Sequence, residues 1–333
     1  MWEATDAVML HRTLGRTSLS VSQIGFGASP LGDVFGAIDS AEAARAVQQA
    51  VEAGINFFDV SPYYGSTLAE ERLGKALAGI RNKVIVATKC GRYGDGMFDF
   101  SAARIRRSID ESLTRLRTDY VDLLQAHDIE FGSFEQIVNE TVPALREVQR
   151  SGKARYIGIT GYPLGMLRRV AERERVDSIL SYCHYNLLVS DLDVGLGAFA
   201  RANGVGLLNA SPLHMGLLSG HGTLPEWHPA PAKVRRAADE VVRLCRKRGV
   251  SPAAVALRYS IGHPYVASTL VGMATRDQVD ANLKALELGI DQEFRREIER
   301  AVAPAKDVVW ASGRAENTGP VSADREQEQE QLP

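Results

Sequence analysis

The chain has 333 residues, of which 45% are apolar and 24% are charged, a composition typical of a globular protein with a large buried core. Its net charge of −2 argues against a nucleic-acid or membrane-surface partner. Three widely spaced cysteines argue against a disulfide framework and against a CxxC metal site. Because no apolar stretch resembles a secretory signal or a membrane span, we expect a cytoplasmic protein without a metal.

Short, almost continuously apolar runs alternate with helical patterns along the chain, as in parallel strands that are buried on both faces. The predicted strands cover residues 21–26, 55–60, 84–88, 121–125, 156–160, 179–182, 205–208 and 266–272. The predicted helices cover residues 40–53, 101–117, 134–150, 193–202 and 234–248, with two more opened by Ser251-Pro252 and by Thr275. Glycines such as Gly54 and Gly249 follow helix ends, where they favour termination.

About eight strand–helix repeats are compatible with a doubly wound open sheet or with a closed barrel. A GxGxxG motif after the first strand would favour the open sheet, but Gly25 and Gly27 are followed by Pro30 and a wrongly spaced Gly32. We therefore predict an α/β fold, a single-domain (β/α)8 TIM barrel over residues 1–313. The polar stretch 314–333 is predicted to be a disordered tail.

Functional groups of such barrels gather where the strands end. Asp59 and Tyr64 follow one predicted strand, Lys89 ends the next, and His127 ends the third. Each residue taken alone has an ordinary structural explanation: a turn aspartate, a solvated lysine, a packed tyrosine or a satisfied histidine. The combination on three successive strand ends is less easily explained without function.

The four side chains form a chemically sensible set. A free tyrosine has a pKa near ~10, and a neighbouring ammonium such as that of Lys89 is expected to lower it. Asp59 can balance the buried lysine, and His127 can donate a hydrogen bond to a substrate oxygen. Tyr64 is then the predicted proton-transfer group.

The motifs FFDVSPYYG, ATK and QAHD resemble the catalytic segments of the aldo-keto reductase superfamily, and the resemblance extends over roughly residues 14–288. It implies that Asp59, Tyr64, Lys89 and His127 are the catalytic tetrad. GFGASPLGDVFG, ATKCGRYGDGMFDFS and PEWHPA resemble the branch of L-galactose dehydrogenases and other aldose 1-dehydrogenases. That branch implies NAD-dependent oxidation of the C1 hydroxyl of L-galactose, L-fucose or D-arabinose to an aldonolactone.

The resemblance also implies where a dinucleotide binds. The residues matching the family's cofactor segments are Thr160, Gly161, Tyr182, Ser211, Pro212, Leu213, Gly216, Leu218, Gly272, Arg276, Gln278 and Asn282. Backbone N–H groups of the segments 211–213 and 216–218 are expected to wrap the pyrophosphate. Gly272 and Gln278 stand where NADP-preferring relatives have basic residues, so that NAD is expected to be preferred over NADP.

A small-molecule sugar is the expected substrate, because aromatic platforms beside polar groups suit sugar rings. The candidate substrate contacts are Tyr63, Asp128, His184, Tyr185 and Trp227. Two other functions stay open at this point. One is an NAD(P)H-dependent reductase of aldehydes or a pyridoxal 4-dehydrogenase-like enzyme, and the other is a cofactor-binding regulatory subunit with little turnover. The chain is expected to be a monomer or a homodimer.

Overall fold

The structure, a computed structural model, describes residues 9–220 and 228–318. Eight parallel strands pair in chain order, and the last pairs with the first, so that the sheet closes into a barrel. The strands are β1 (Ile24–Gly27), β2 (Phe57–Asp59), β3 (Ile85–Cys90), β4 (Val121–Ala126), β5 (Ala154–Gly161), β6 (Ser178–Tyr182), β7 (Gly206–Ala210) and β8 (Val266–Gly272). The predicted TIM barrel is confirmed.

Helices connect the strands and pack apolar faces against the barrel wall. They are α1 (Ser40–Glu52), α2 (Leu68–Ala76), α3 (Ala102–Leu116), α4 (Val142–Arg150), α5 (Leu164–Arg173), α6 (Ala198–Asn203), α7 (Ala232–Lys247), α8 (Pro252–Ile261), α9 (Arg276–Lys284) and α10 (Gln292–Val302). A short helix, Phe134–Gln136, and a π turn, Ile137–Thr141, lead into α4, and a second π turn, Asp193–Gly197, leads into α6. Within the described ranges, no helix has both the length and the apolar character needed to cross a membrane.

Capping residues explain several helix starts. The Ser251 side chain accepts the Ala254 N–H at the start of α8, as its position before a proline predicted. Thr275 and Gln278 form a capping box at the start of α9. The helices α2, α5 and α10 were not predicted. Thr67, at the start of α2, has a left-handed backbone and no capping bond from its side chain, so the usual signal is missing there.

The predicted strand 21–26 is in fact two strands. Ser20–Ser22 pairs in an antiparallel hairpin with His11–Thr13, and only β1 joins the barrel. The hairpin closes the N-terminal end of the barrel with an apolar cluster. Its members are Leu14, Leu19, Val21, Phe57, Ala87, Leu123, Leu180, Leu208, Ala267 and Leu270.

The segment after α10 returns to the opposite end of the barrel. Trp310 stacks on Tyr162 with the ring centroids 4.5 Å apart. Asn317 is buried in the short turn Ala315–Asn317, and its Nδ2 donates to the carbonyl of Glu130 at 2.8 Å. Residues up to 318 therefore pack on the barrel, and the predicted boundary after residue 313 is too early. Residues 319–333 lie outside the described ranges.

Candidate active site

The ends of β2, β3 and β4 bring one buried ion pair together. Lys89 Nζ donates to the carboxylate of Asp59 and, at 2.9 Å, to the carbonyl of Val60. Gln125 Nε2 donates to the other carboxylate oxygen of Asp59 at 2.9 Å. Lys89 and Gln125 are direct neighbours in the β3–β4 register, and all three side chains are buried. Burial alone lowers the pKa of Lys89, but Asp59 and Tyr64 outweigh it and raise this pKa, so that the ammonium stays charged.

Tyr64 lies on the tight turn after β2, over the end of this ion pair. A side chain on Gly65 would meet the carbonyl oxygen of Gly32, so only glycine lets the turn pack there. Lys89 Nζ lies 5.0 Å from the centroid of the Tyr64 ring. The Tyr64 ring meets the His127 ring edge-on, with the centroids 5.8 Å apart. Asp59, Tyr64, Lys89 and His127 thus share one site at the C-terminal end of the barrel.

The pKa of Tyr64 is shifted in the opposite direction to the prediction. Burial raises the pKa of Tyr64 above its usual value, while the nearby Lys89 ammonium opposes that rise. Lys89 has the expected effect, but the predicted net lowering of the Tyr64 pKa is wrong. Burial destabilises the phenolate more than the single Lys89 ammonium stabilises it. Burial therefore opposes the phenolate form of Tyr64, and the Lys89 ammonium favours it.

His127 is held as a neutral imidazole. Its Nδ1 lies 3.0 Å from Ser61 Oγ. Burial lowers the pKa of His127 to about 3, although the carboxylate of Asp128 opposes this shift. Because Ser61 takes Nδ1, the nitrogen left for a ligand is Nε2.

Asp128 and Tyr63, two of the predicted substrate contacts, adjoin the tetrad. Asp128 has a left-handed backbone (φ 54°), and its N–H donates to Thr160 Oγ1 at 3.2 Å. Its carboxylate accepts from Arg92 Nη1 at 2.6 Å and lies 3.8 Å from His127 Nε2. The guanidinium of Arg92 in turn lies 3.7 Å from the centroid of the Tyr63 ring.

Sequence reasoning missed three residues of this site. Ser61 and Gln125 each lie two residues from a tetrad member, Asp59 and His127, and this spacing is the available signal. Arg92 carries no such signal, because its role depends on a hairpin, Arg92–Gly94 with Met97–Phe98, that folds back over the site.

The loop after β7 differs from the predicted phosphate cradle. Ser211 and Gly216 have positive φ angles of 58° and 102°. The N–H groups of Gly216 and Leu218 both donate to the carbonyl of Leu213 at 3.1 Å, and Pro212 has no N–H. None of these three residues presents a free backbone N–H in this structure, and the predicted pyrophosphate contacts of the loop stay a prediction. The left-handed backbone of the loop is an expensive conformation of the kind concentrated at ligand sites.

The predicted cofactor residues of β5, β6 and β8 have other partners. The hydroxyl of Thr160 accepts the N–H of Asp128, while Gly161 ends β5. The ring of Tyr182 packs against that of Tyr162, 5.3 Å between centroids. Gly272 is exposed at the end of β8.

The start of α9 holds the remaining predicted cofactor residues. Gln278 Oε1 accepts the N–H of Ala274 at 2.7 Å, so this side chain shapes the loop. The N–H of Arg276 donates to Glu42 Oε1 at 2.9 Å, and Asn282 lies partly buried on α9. A carboxylate from α1 thus faces the first turn of α9, a contact that the sequence did not indicate.

The remaining substrate candidates are separated by the structure. His184 Nδ1 lies 2.7 Å from Asp191 Oδ1, and the His184 ring contacts Tyr162 at the barrel mouth. Tyr185 instead packs in the core, stacked on Tyr259 and edge-on to His263, so it is a packing residue. Trp227 lies outside the described residues. In the parts of the chain that the structure describes, no group of three or more His, Cys, Asp or Glu is arranged to hold a metal ion.

Known proteins resemble this chain over most of its length. The model of the aldo/keto reductase family matches residues 23–303. L-galactose dehydrogenase of Arabidopsis thaliana is 50% identical over 316 residues, which cover 92% of this chain and 98% of the plant protein. D-arabinose 1-dehydrogenase of Saccharomyces cerevisiae is 34% identical, over 65% of this chain and 67% of the yeast protein. Pyridoxal 4-dehydrogenase of Microbacterium luteolum is 26% identical, over 85% of this chain and 94% of that protein.

Solved structures give the same picture. An aldo-keto reductase of Bacillus halodurans in its holo form superposes with a TM-score of 0.74 at 30% identity, covering 91% of this chain and 98% of that protein. Aldo-keto reductases are oxidoreductases that use nicotinamide cofactors. Together with the family match over residues 23–303, this likeness shows that the chain belongs to the aldo/keto reductase family of oxidoreductases.

Proposed function

We propose that this protein oxidises the C1 hydroxyl of an aldose, such as L-galactose, L-fucose or D-arabinose, to the aldonolactone with NAD. The observation that carries the proposal is the 50% identity to L-galactose dehydrogenase, which extends over almost the whole of both chains. The assembly of Tyr64, Lys89 and His127 in one site supports the chemistry, because it offers a proton acceptor, a fixed cation and a hydrogen-bond donor.

The residues at the barrel mouth fit a nicotinamide dinucleotide. The loops after β7 and β8 open at the same end of the barrel as Tyr64, and this is where TIM barrels commonly bind phosphate groups. The N-terminus of α9 offers the positive end of a helix dipole there, and Glu42 offers an acceptor for a ribose hydroxyl. When bound, the dinucleotide supplies the hydride acceptor.

In the proposed oxidation the C1 hydroxyl gives its proton to the phenolate oxygen of Tyr64, and the C1 hydrogen leaves as a hydride with its electron pair. The Lys89 ammonium stabilises the phenolate form of Tyr64 against the cost of burial. The proposed oxidation uses the neutral His127 tautomer that accepts from Ser61 at Nδ1 and carries its proton on Nε2, where it donates to the oxygen at C1. Because C1 of the cyclic sugar already bears the ring oxygen, the product is a lactone.

A preference for NAD over NADP is supported by Glu42. Its carboxylate accepts the Arg276 N–H at 2.9 Å and lies 3.5 Å from the Arg276 Nε. The only predicted phosphate-binding arginine of this loop is therefore already paired with an anion. A carboxylate that suits a ribose 2′-hydroxyl repels a 2′-phosphate, as acidic residues do in other dinucleotide sites.

The experiment is a screen of NAD⁺ reduction, followed at 340 nm, over L-galactose, L-fucose, D-arabinose, L-glucose and pyridoxal. We expect turnover of at least one aldose, with an aldonolactone as the product detected by mass spectrometry. Absence of turnover with every aldose overturns the proposal. Binding of NADH without turnover of any compound would instead indicate a regulatory subunit.

Oxidation of pyridoxal is the second candidate function. The 26% identity to pyridoxal 4-dehydrogenase over 85% of this chain favours it. The same screen distinguishes the two, because a kcat/KM for pyridoxal above that of every aldose would favour the second candidate. The cytoplasmic location and the monomeric or homodimeric state stay predictions.

A further inference from the structure

The hairpin after β3 presents one arginine to the tetrad. Gly91 has a φ of 95° and turns the chain out of β3, and its N–H donates to the hydroxyl of Tyr93 at 3.0 Å. The guanidinium of Arg104 packs on the Tyr93 ring at 3.8 Å and supports the hairpin from behind. Arg92 therefore projects from a supported backbone, and its side chain is 21% exposed.

Arg92 is fixed by contacts on two sides. Its Nη1 donates to Asp128 Oδ2 at 2.6 Å, and its guanidinium lies against the ring of Tyr63 at 3.7 Å. The hydroxyl of Tyr63 donates to Asp95 Oδ1 at 2.8 Å, which holds the ring in place. A guanidinium fixed in this way loses little conformational freedom when a ligand binds.

The guanidinium keeps hydrogen-bonding capacity after these contacts. It has five N–H groups, and among the described residues Asp128 is the one acceptor within hydrogen-bonding distance. Asp95 lies 4.0 Å from Nη2, too far for a hydrogen bond. The terminal nitrogens can therefore still donate to a ligand oxygen.

The position of Arg92 relative to the reacting oxygen is given by Asp128. With Ser61 at His127 Nδ1, the proposed site for the oxygen at C1 is His127 Nε2. Asp128 Oδ2 lies 3.8 Å from that Nε2 and also accepts from Arg92. The carboxylate–guanidinium pair thus lies beside His127 Nε2, where it offers a neighbouring ligand oxygen both an acceptor and a donor.

We propose that Arg92, together with Asp128, binds the C2 hydroxyl of the aldose and thereby selects sugars over simple aldehydes and 2-deoxy sugars. This inference rests on the proposed aldose oxidation and names the residues that give it specificity. Arg92 is a specificity-determining residue here, and the proton transfer stays with Tyr64.

The test compares D-arabinose with 2-deoxy-D-ribose, which differ in the presence of the C2 hydroxyl. A hydrogen bond between a hydroxyl and a charged group changes kcat/KM by about 10- to 100-fold, so we expect the wild-type protein to prefer D-arabinose by that factor. In Arg92→Met we expect the preference to fall to about threefold or less, mainly through a higher KM for D-arabinose. The Kd of NADH, measured by fluorescence, should not change.

Arg104→Met is the matched control, because Arg104 supports the same hairpin without touching Asp128. It should leave the preference for D-arabinose unchanged. An equal loss of kcat/KM for both sugars in Arg92→Met, or no loss for either, overturns the inference and leaves the proposed function standing. If the wild-type protein oxidises no aldose, the proposed function and the inference both fail. If Arg92→Met does not fold, Arg92→Lys makes the same comparison, because lysine lacks the planar fork.

Discussion

The two ends of the barrel interior are built from the same strands but from opposite kinds of side chain. On β2, Phe57 belongs to the apolar cluster at the closed end and Asp59 to the ion pair at the open end. On β3, Ala87 and Lys89 differ in the same way. Because alternate residues of a strand point to the same side, two positions along the chain separate a dry core from a reactive site.

Residues two positions apart on the same strand therefore have different roles. The apolar end stabilises the barrel by burial, which needs volume but no particular chemistry. The polar end pairs each buried charge, which needs particular partners such as Gln125 for Asp59. Substitutions at one end should therefore change stability, and substitutions at the other should change catalysis.

The largest expected effect is on catalysis. Tyr64→Phe should lower kcat for aldose oxidation by about 1,000-fold, because no other group at C1 can accept the proton. The Kd of NADH and the free energy of unfolding should stay close to their wild-type values. Tyr63→Phe is the matched control and should lose less than about tenfold, because its hydroxyl bonds to Asp95, away from the tetrad. Retention of most activity in Tyr64→Phe would contradict the proton-transfer assignment.

The converse effect is expected at the closed end. Phe57→Ala should lower the free energy of unfolding by about 4 kcal/mol, since a fully buried aromatic ring leaves a cavity. The kcat of the folded variant should stay within a few-fold of wild type. Urea denaturation and steady-state kinetics check both statements, and a large loss of kcat at full folding would show that the two ends are coupled.

Asp59→Asn tests whether the polar end also bears on stability. It leaves the Lys89 ammonium buried without its counter-ion, so the free energy of unfolding should fall by about 3 kcal/mol. The exposed pair of Lys153 and Asp110 provides the control, since Asp110→Asn should change stability by less than about 1 kcal/mol. Similar results for the two variants would mean that the buried pair has no special role in folding.

Acid should destabilise the protein through its buried neutral histidines. The pKa of His127 is lowered by burial to about 3, so below an unfolded-state pKa of about 6.5 only the unfolded chain takes up the proton. Stability therefore falls by about 1.4 kcal/mol per pH unit for this group as the pH drops from about 6.5 towards 3. His214, whose pKa burial also lowers to about 3, adds a second contribution.

Denaturation between pH 7 and pH 4.5 measures this slope. His127→Gln should reduce the dependence of unfolding free energy on pH by the contribution of about one proton. His11→Gln, at an exposed position, should leave this dependence unchanged. An unchanged slope in His127→Gln would mean that this imidazole is already charged in the folded protein.

The smallest expected effect concerns the cofactor side. Glu42→Gln should lower the Kd of NADPH by about fivefold and change that of NADH little, because it removes a partly buried anion from the proposed 2′-phosphate position. Glu52→Gln, at the other end of α1, is the matched control. A fall of both Kd values by the same factor would contradict a role for Glu42 in discrimination.

Local patterns explain what the sequence could predict. The apolar runs and their spacing indicated the eight strands, and the strand ends indicated Asp59, Tyr64, Lys89 and His127, because the C-terminal ends of parallel strands meet in a barrel. The division of the run 21–26 was not predictable from its composition. Each half has a β-branched residue, Val21 or Ile24, and only pairing with His11–Thr13 or with β8 distinguishes them.

Contacts between distant residues explain what was missed. Glu42 and Arg276 are 234 positions apart, and their meeting depends on the closure of the barrel between α1 and α9. The pKa of Tyr64 depends on a balance between burial and the Lys89 charge, and a sequence motif does not reveal how deeply a side chain is buried. The hydrogen bonds inside the loop after β7 are local, but they depend on left-handed backbone angles that no sequence motif specifies.

The docking of residues 310–317 has a consequence for protein synthesis. Trp310 and Asn317 complete the mouth of the barrel, yet they leave the ribosome after all eight strands. The barrel can close before its mouth is finished, and the growing chain has no complete pocket until this segment emerges. Substitutions in residues 310–317 can accordingly change the shape of the mouth without altering the strands that carry the tetrad.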